Sequence, residues 1–384
     1  MSLESAFAGA LARLLLPGQP PNLALAVSGG ADSTALALLA KDYCQARGGH
    51  VLALIVDHGL RSESEDEAKL VAARLRSYGI SSQILSLTLT AGSAVQERAR
   101  IARYQALEMA ASSAGFVYLA LGHHLADQHE TVAMRMRHGK AGLEGMASWT
   151  ARDKVVLLRP LLDIHPALLR TFLSERNVAW IDDPSNQLRH FERVRVRQDQ
   201  AGQTPIGASE RQDREQETAA FLARYATFHP EGYAVLAAPS LPVMALGALL
   251  RTIAGQLYAP RQEALRRLAG GLQPATLGGV RITKAGRLGR GWLLAREFAS
   301  CAPPVPATAQ ARWDNRFVLS APVPSNLSLG ALGGDARLFR RHSQLPNVVL
   351  QSLPALRDAT GSIVFPAPVS FAPPVPMTQH PFRV

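Results

Sequence analysis

The sequence predicts an α/β fold built on a doubly wound parallel five-stranded sheet, followed by smaller mixed and helical regions. Two observations in the first 200 of its 384 residues carry that expectation. Short apolar runs alternate with longer stretches whose apolar residues recur at helical spacing, the pattern of parallel strands joined by crossover helices. The first of these runs also passes through a two-glycine turn straight into a helical stretch.

Residues 6–16 form an apolar run broken by Arg13, preceded by Glu4 and Ser5 and ended by Pro17, which reads as an amphipathic first helix. It is too short to span a bilayer and lacks the basic leading region of a secretion signal. Residues 23–27, 51–56, 83–87, 116–121 and 155–158 are the five expected strands, with helices over 33–46, 64–78 and 94–113 between them. Ser64 and Glu67 form a capping box that sets the start of the second of these helices. Residues 201–215 turn polar around Gly202, Pro205 and Gly207, as a linker would. The expected division is therefore a first domain at 1–205, a mixed helical and hairpin domain at 206–298 and a Pro-rich region at 299–384. In the second domain, helices over 221–228, 244–258 and 261–269 precede a hairpin of 280–284 and 291–296. The last 86 residues hold 13 of the 25 prolines, so short strands and loops at best are expected there, and 371–384 is expected to lack fixed structure.

Composition narrows the function classes. A hydrophobic fraction of 47 % with 18 % charged residues describes a globular chain with a full-sized core, not a peptide hormone or small scaffold. Two cysteines, Cys44 and Cys301, are too few for a disulfide framework or a cysteine-based zinc site, so a reducing cytoplasm is the expected compartment. Net charge is +11, and it is uneven: residues 1–200 carry 22 basic and 20 acidic residues, residues 201–384 carry 19 and 10. That asymmetry points to a polyanionic partner for the second half. Arginine outnumbers lysine 36 to 5, which suits phosphate and stacked bases but also follows from GC-rich codon usage.

The most informative stretch is Ser28-Gly29-Gly30-Ala31-Asp32-Ser33 between the first strand and its helix. Backbone N–H groups and the positive end of a helix dipole converge there, a nest for phosphate. Gly29 and Gly30 let the main chain approach an anion closely, and the Ser28 and Ser33 hydroxyls can donate to it. The loop has neither the lysine of a Walker loop nor the spacing of a dinucleotide fingerprint. Four further segments follow in order: Asp57-His58-Gly59-Leu60-Arg61 at the end of the second strand; Gln96-Glu97-Arg98-Ala99-Arg100 with Arg103; Gly122-His123-His124-Leu125-Ala126-Asp127-Gln128-His129-Glu130; and Arg159-Pro160-Leu161-Leu162 leading to Asp182-Asp183-Pro184-Ser185-Asn186 and Arg193, Arg195, Arg197. Asp57 and His58 lie at the carboxyl edge of the sheet, where open α/β folds bind ligands. Arg100 and Arg103, three apart, share a helix face. His123, Asp127 and Glu130 share one too if their helix begins at His123. Asp182 begins either a plain turn or a substrate segment, and the three alternating arginines line one side of an extended segment or scatter around a helix.

The glycine loop resembles the PP-loop of the N-type ATP pyrophosphatases, and the five segments together resemble the tRNA(Ile)-lysidine synthases, densely over residues 20–200 and thinly beyond. That resemblance implies a Rossmann-like PP-loop domain with tRNA-binding regions after it. It implies ATP-dependent ligation of L-lysine to C2 of the wobble cytidine in a tRNA(Ile) with a CAU anticodon, through an adenylated cytidine, releasing AMP and diphosphate. Ser28, Gly29, Gly30, Ala31, Asp32 and Ser33 would then bind ATP with Asp57 and Arg103, and Asp32 and Asp127 would hold Mg2+. Asp32, Asp127, Glu130 and His123 would be catalytic, with His123 or His124 facing the phosphates. His58, Arg100, Asp182, Arg193, Arg195 and Arg197 would meet the tRNA or the substrates. The family usually has two adjacent aspartates where this chain has Ala126 and Asp127, and alanine where it has His129; with Asp127 and Glu130 kept, an active enzyme is expected. No stable protein partner or membrane association is expected, and a homodimer is left open. Two other readings share the loop: a tRNA thiolase, whose paired cysteines or cysteine-held cluster Cys44 and Cys301 do not supply, and a non-catalytic RNA-binding relative, which would have lost its acidic residues.

Overall fold

A computed structural model describes residues 2–16, 18–57, 64–87, 95–137, 145–152, 154–181, 208–238, 240–324, 326–375, 377 and 378. The chain divides into two compact units, Met1–Asp213 and Arg214–Val384.

The first unit contains α1 (Leu3–Leu14), β1 (Leu23–Ala26), α2 (Ala31–Gln45), β2 (Val51–Asp57), α3 (Ser64–Ser77), β3 (Ser81–Ser86), α4 (Val95–Ser113), β4 (Tyr118–Ala120), α5 (Leu125–Arg137), β5 (Trp149–Ala151), β6 (Val156–Leu158) and α6 (Pro166–Glu175). Its sheet has the order β3-β2-β1-β4-β6-β5. The five expected strands pair in parallel, and β5 adds a sixth, antiparallel to β6 at the edge. Successive residues of β1 point to opposite faces, as strand geometry requires. Leu23 and Leu25 join Phe7, Leu11, Leu36, Val71 and Leu173 from α1, α2, α3 and α6, while Ala24 joins Leu107 and Ala111 of α4. Covered on both faces, β1 is a near-continuous apolar run, and the double winding follows. The short α6 was not legible as a helix; it begins at Pro166, a residue suited to a first turn, behind His165 whose ring accepts the Ala167 N–H.

In the second unit the helix α7 (Ala208–Tyr225), which spans the division at Asp213, is followed by β7 (Ala226–His229), β8 (Tyr233–Leu236), α8 (Val243–Ala254), α9 (Gln262–Ala269), β9 (Ala275–Leu277), β10 (Val280–Lys284) and β11 (Trp292–Arg296). The expected linker therefore ends in helix from Ala208, because Glu, Gln and Arg are good helix formers as well as polar. The expected helix at 221–228 stops at Tyr225 and gives way to strand. The hairpin of β10 and β11 forms, within an antiparallel sheet β7-β8-β11-β10-β9. Leu294 faces the α8 and α9 side with Leu249 and Leu265. Leu293 and Ala295 face Leu332, Val349 and Ala355 from the Pro-rich region. That region holds β12 (Val305–Pro306), β13 (Arg312–Trp313), β14 (Phe317–Leu319), β15 (Ser328–Ala331), α10 (Ala336–Phe339), α11 (Asn347–Leu350), β16 (Pro354–Arg357), β17 (Ile363–Val364) and β18 (Val369–Phe371), in two small sheets. Phe371, expected in an unstructured tail, packs on Phe228 and Phe317.

A buried ion group joins β11 to this region. The Asp314 carboxylate accepts from Arg296 at 3.0 and 2.9 Å, from Arg316 Nε at 2.7 Å and from the Ala302 N–H at 2.9 Å. Among the described residues no helix is long and apolar enough to cross a membrane. Replacing Asp314 with Ala would leave two guanidiniums without their shared counter-charge, and urea denaturation should show a loss of about 3–5 kcal/mol.

Candidate functional site

Strand order reverses between β1 and β4, which opens a crevice at the carboxyl edge between the loops that leave them. After β1 the chain turns at Gly29, whose φ is +86° and where a Cβ would lie 2.4 Å from Val71 Cγ2. Gly30 is the N-cap of α2, its carbonyl accepting from the Thr34 N–H at 3.0 Å. The N–H groups of Ala31, Asp32 and Ser33 open the helix and have no intrahelical acceptor. The Ser33 hydroxyl donates to the Gly30 carbonyl at 3.1 Å and accepts from the Ser28 N–H at 3.2 Å. With that proton used, Ser28 is the donor in the 3.1 Å hydroxyl pair of Ser28 and Ser33. Both hydroxyls brace the loop, and the groups left open toward an anion are its main-chain N–H groups and the helix end.

The loop after β4 meets this first turn closely. A Cβ on Gly122 would sit 3.3 Å from the Ser33 Cα and N. The helix α5 then begins at Leu125, not at His123, so His123, Asp127 and Glu130 do not form the expected face. His124 occupies the capping position, and the Asp127 carboxylate accepts its N–H at 3.0 Å, half of a capping box. The buried His124 ring lies between two carboxylates: Nε2 is 3.3 Å from Asp32 Oδ2, and Nδ1 is 3.6 Å from Asp127 Oδ2. The side chains of Asp32 and Asp127 stay 37 % and 22 % exposed, whereas Glu130 is buried. Two helix N-termini, each carrying an aspartate, thus converge on one imidazole. Among the described residues no three His, Cys, Asp or Glu side chains are arranged as a metal cage. Two partly exposed carboxylates fit Mg2+, which takes one or two carboxylates together with substrate phosphate oxygens.

Next to this pair, His123 stands in a cationic recess. Burial above all, then the Arg159, Arg103 and Arg100 guanidiniums and His124, hold its pKa well below the usual histidine range, so the ring is neutral. Arg159, which follows β6, is buried and donates to the Ala147 carbonyl at 2.7 Å and Thr150 Oγ1 at 3.0 Å. Burial pushes its pKa down to about 10, which leaves it charged at neutral pH. His123 Nδ1, Arg103 Nε and Arg159 Nε are buried without hydrogen-bond partners. Arg100 and Arg103 flank the Tyr104 ring at 5.4 and 5.6 Å. Sequence reasoning gave Arg159 no role and left His124 as an alternative to His123; the position of Arg159 just past a strand's carboxyl end was the available signal.

Asp57, at the end of β2, accepts the Ser64 hydroxyl proton at 2.6 Å and so anchors the start of α3. His58, Asp182, Arg193, Arg195 and Arg197 lie outside the described residues. The chain leading to Asp182 is tied to the glycine loop, where the Ile181 N–H donates to the Gly29 carbonyl at 2.9 Å. Cys44 is buried in α2 with its pKa raised to about 12 by burial, and burial also raises Cys301 in the second unit, so neither is a ready thiolate.

Gly29→Ala forces an L side chain into a left-handed turn against Val71, and a urea titration should register a loss of about 1–3 kcal/mol alongside weakened ATP binding. His123 has a folded pKa below its unfolded value, so the unfolded chain takes up a proton first as pH falls below about 6.5. Stability should therefore drop from pH 7 to pH 5, by up to about 1.4 kcal/mol per pH unit from this group, and His123→Asn should flatten that slope.

The PP-loop domain family matches residues 3–202. A tRNA(Ile)-lysidine synthase of Ruegeria pomeroyi is 37 % identical over 84 % of this chain and 82 % of its own length. One of Hyphomonas neptunium is 37 % identical over 73 % of this chain and 83 % of its own length, and one of Novosphingobium aromaticivorans is 45 % identical over 45 % and 54 %. Since the PP-loop match takes in the whole parallel sheet and the similarity to the first of these runs well past it, the chain belongs to the tRNA(Ile)-lysidine synthases, a family of PP-loop enzymes.

Proposed function

We propose that this chain ligates L-lysine to C2 of the wobble cytidine of a tRNA(Ile) bearing a CAU anticodon, using ATP. The observation that carries the reading is the convergence of Asp32 and Asp127, at two helix N-termini, on the buried His124. The C2 oxygen of cytosine is a poor leaving group and has to be activated first. In the proposed sequence it attacks the α phosphate of ATP, diphosphate leaves, and the lysine amine then displaces AMP from C2. Main-chain N–H groups of Ala31, Asp32 and Ser33 receive the phosphates, and their fixed positions need no reorganisation as charge develops. Asp32 and Asp127 are the residues that would hold Mg2+, which when bound supplies charge neutralisation on the phosphates. His124 keeps the two carboxylates in register. The recess of Arg100, Arg103 and Arg159, with neutral His123 offering a hydrogen bond, stabilises the anionic groups of ATP and of the leaving AMP. A cleft that excludes water protects the adenylated base from hydrolysis. The basic second half of the chain holds the tRNA.

Incubation with ATP, Mg2+, labelled lysine and a tRNA(Ile) transcript should give lysine incorporation that depends on the cytidine at the wobble position, with AMP and diphosphate released in equal amounts. ATP binding without transfer would point instead to a non-catalytic relative. Asp127→Asn removes a carboxylate from the phosphate site and should cut turnover by roughly 100-fold or more, while filter binding of the tRNA stays close to that of the parent chain.

A further inference from the structure

Gln128 stands on the first turn of α5, one residue after Asp127, and only 2 % of it is exposed. Its side-chain amide takes hold of one residue twice: Nε2 donates to the Met146 carbonyl at 3.0 Å, and Oε1 accepts the Met146 N–H. Gly145, just before, has a φ of +78°, and a Cβ there would lie 2.4 Å from Gln128 Oε1, so the close approach of the amide requires glycine. The Gly145 carbonyl in turn accepts from Arg211 on α7. The residues that follow serve Arg159. Its guanidinium donates to the Ala147 carbonyl and to Thr150 Oγ1, and its main-chain N–H donates to the Ser148 carbonyl at 2.8 Å. Among the described residues the guanidinium makes no other hydrogen bond, and its Nε has no partner.

The carbonyl and the N–H of a single residue call for one donor and one acceptor side by side, which glutamine supplies and an apolar side chain of the same length does not. Met146, so held, fixes the peptide that leads to Ala147, and the Ala147 carbonyl is one of the two acceptors of Arg159. A buried guanidinium stays where its acceptors are, because leaving them costs the full desolvation of its donors. Resting on the reading that Arg159 meets the anionic groups of ATP and AMP, we propose that Gln128 is a positioning residue. Acting through Met146 and Ala147, it sets where Arg159 holds its charge against the nucleotide. Asp127 and Gln128 are consecutive, so one helix turn places both the carboxylate that would hold Mg2+ and, through the segment at 145–147, the guanidinium.

The test is a double-mutant cycle in the full-length chain, with Gln128→Met, Arg159→Gln and the two together, each checked for folding by its urea midpoint. Lysine transfer gives kcat and KM for ATP, and titration with ATP gives its Kd. A charge displaced by about an ångström is costly, so kcat/KM for ATP should fall roughly tenfold to 100-fold in Gln128→Met. A side chain that acts through Arg159 has nothing left to place once Arg159 is replaced. In the Arg159→Gln background the same substitution should therefore change kcat/KM by less than about twofold. Gly145→Ala pushes on the same amide from the other side and should reproduce the loss. A Gln128→Met variant with the parent's kcat/KM would overturn the inference, and so would an equal loss in both backgrounds, which is the result of a merely structural role. If Gln128→Met does not fold, Gly145→Ala replaces it in the cycle, and Arg159→Lys, which lacks the planar fork, stands in for Arg159→Gln in the same way. Should the parent transfer no lysine, the proposed function fails while the inference is decided by the ATP Kd: non-additive effects uphold it and additive effects overturn it.

Discussion

The site depends on two helices starting at the same place. The reversal of strand order between β1 and β4 brings α2 and α5 to one crevice, and Gly122 permits the contact because no side chain stands between its strand end and the first turn of α2. The consequence is electrostatic. Each N-terminus favours negative charge, and each carries an aspartate three residues or fewer from its cap. The buried His124 ring stands between the two carboxylates, 3.3 Å from Asp32 and 3.6 Å from Asp127, and Asp127 is held by the His124 main-chain N–H. The glycine loop, the capping interaction of Asp127 and the placement of His124 are therefore one arrangement, and a change at Gly122 would disturb all three.

Both units bury charged side chains, and in both some of their nitrogens lack a hydrogen-bond partner. Asp314 in the second unit is engaged by Arg296, Arg316 and a main-chain N–H and joins β11 to the Pro-rich region, while Arg316 Nη1 is buried without a partner. In the first unit, Arg159 and Arg103 each keep a buried nitrogen without a partner beside a neutral His123. A fold selected for stability alone would satisfy or remove such groups. The arginine nitrogens beside the crevice are donors that the proposed function assigns to an anionic group.

Much of the first unit could be read in advance because its signals are local. The apolar strands at 23–26 and 51–57, the glycine turn and the apolar positions of α2 follow from periodicity and turn chemistry within a few residues. What escaped depends on tertiary contact. His123, Asp127 and Glu130 share a face only if α5 begins at His123, a condition that spacing alone does not decide; the carboxylate of Asp127 folding back on the His124 N–H starts the helix at Leu125 and turns that face aside. Arg159 looked like one more arginine, since its burial depends on carbonyls at 147 and the hydroxyl at 150. In the last 86 residues proline density points to short strands and loops, and the strands there are two to four residues long, with Leu332, Val349 and Ala355 packed across Leu293 and Ala295.

The bracing of Ser28 against Ser33 has a consequence for how the enzyme tolerates its surroundings. In the proposed function the phosphates are gripped by peptide groups, and such a grip has no ionisation of its own and cannot be titrated, oxidised or acetylated. Whatever acidity profile the reaction displays must originate in the side chains around the crevice and in the incoming amine, while the cradle itself stays constant across every condition under which the chain remains folded.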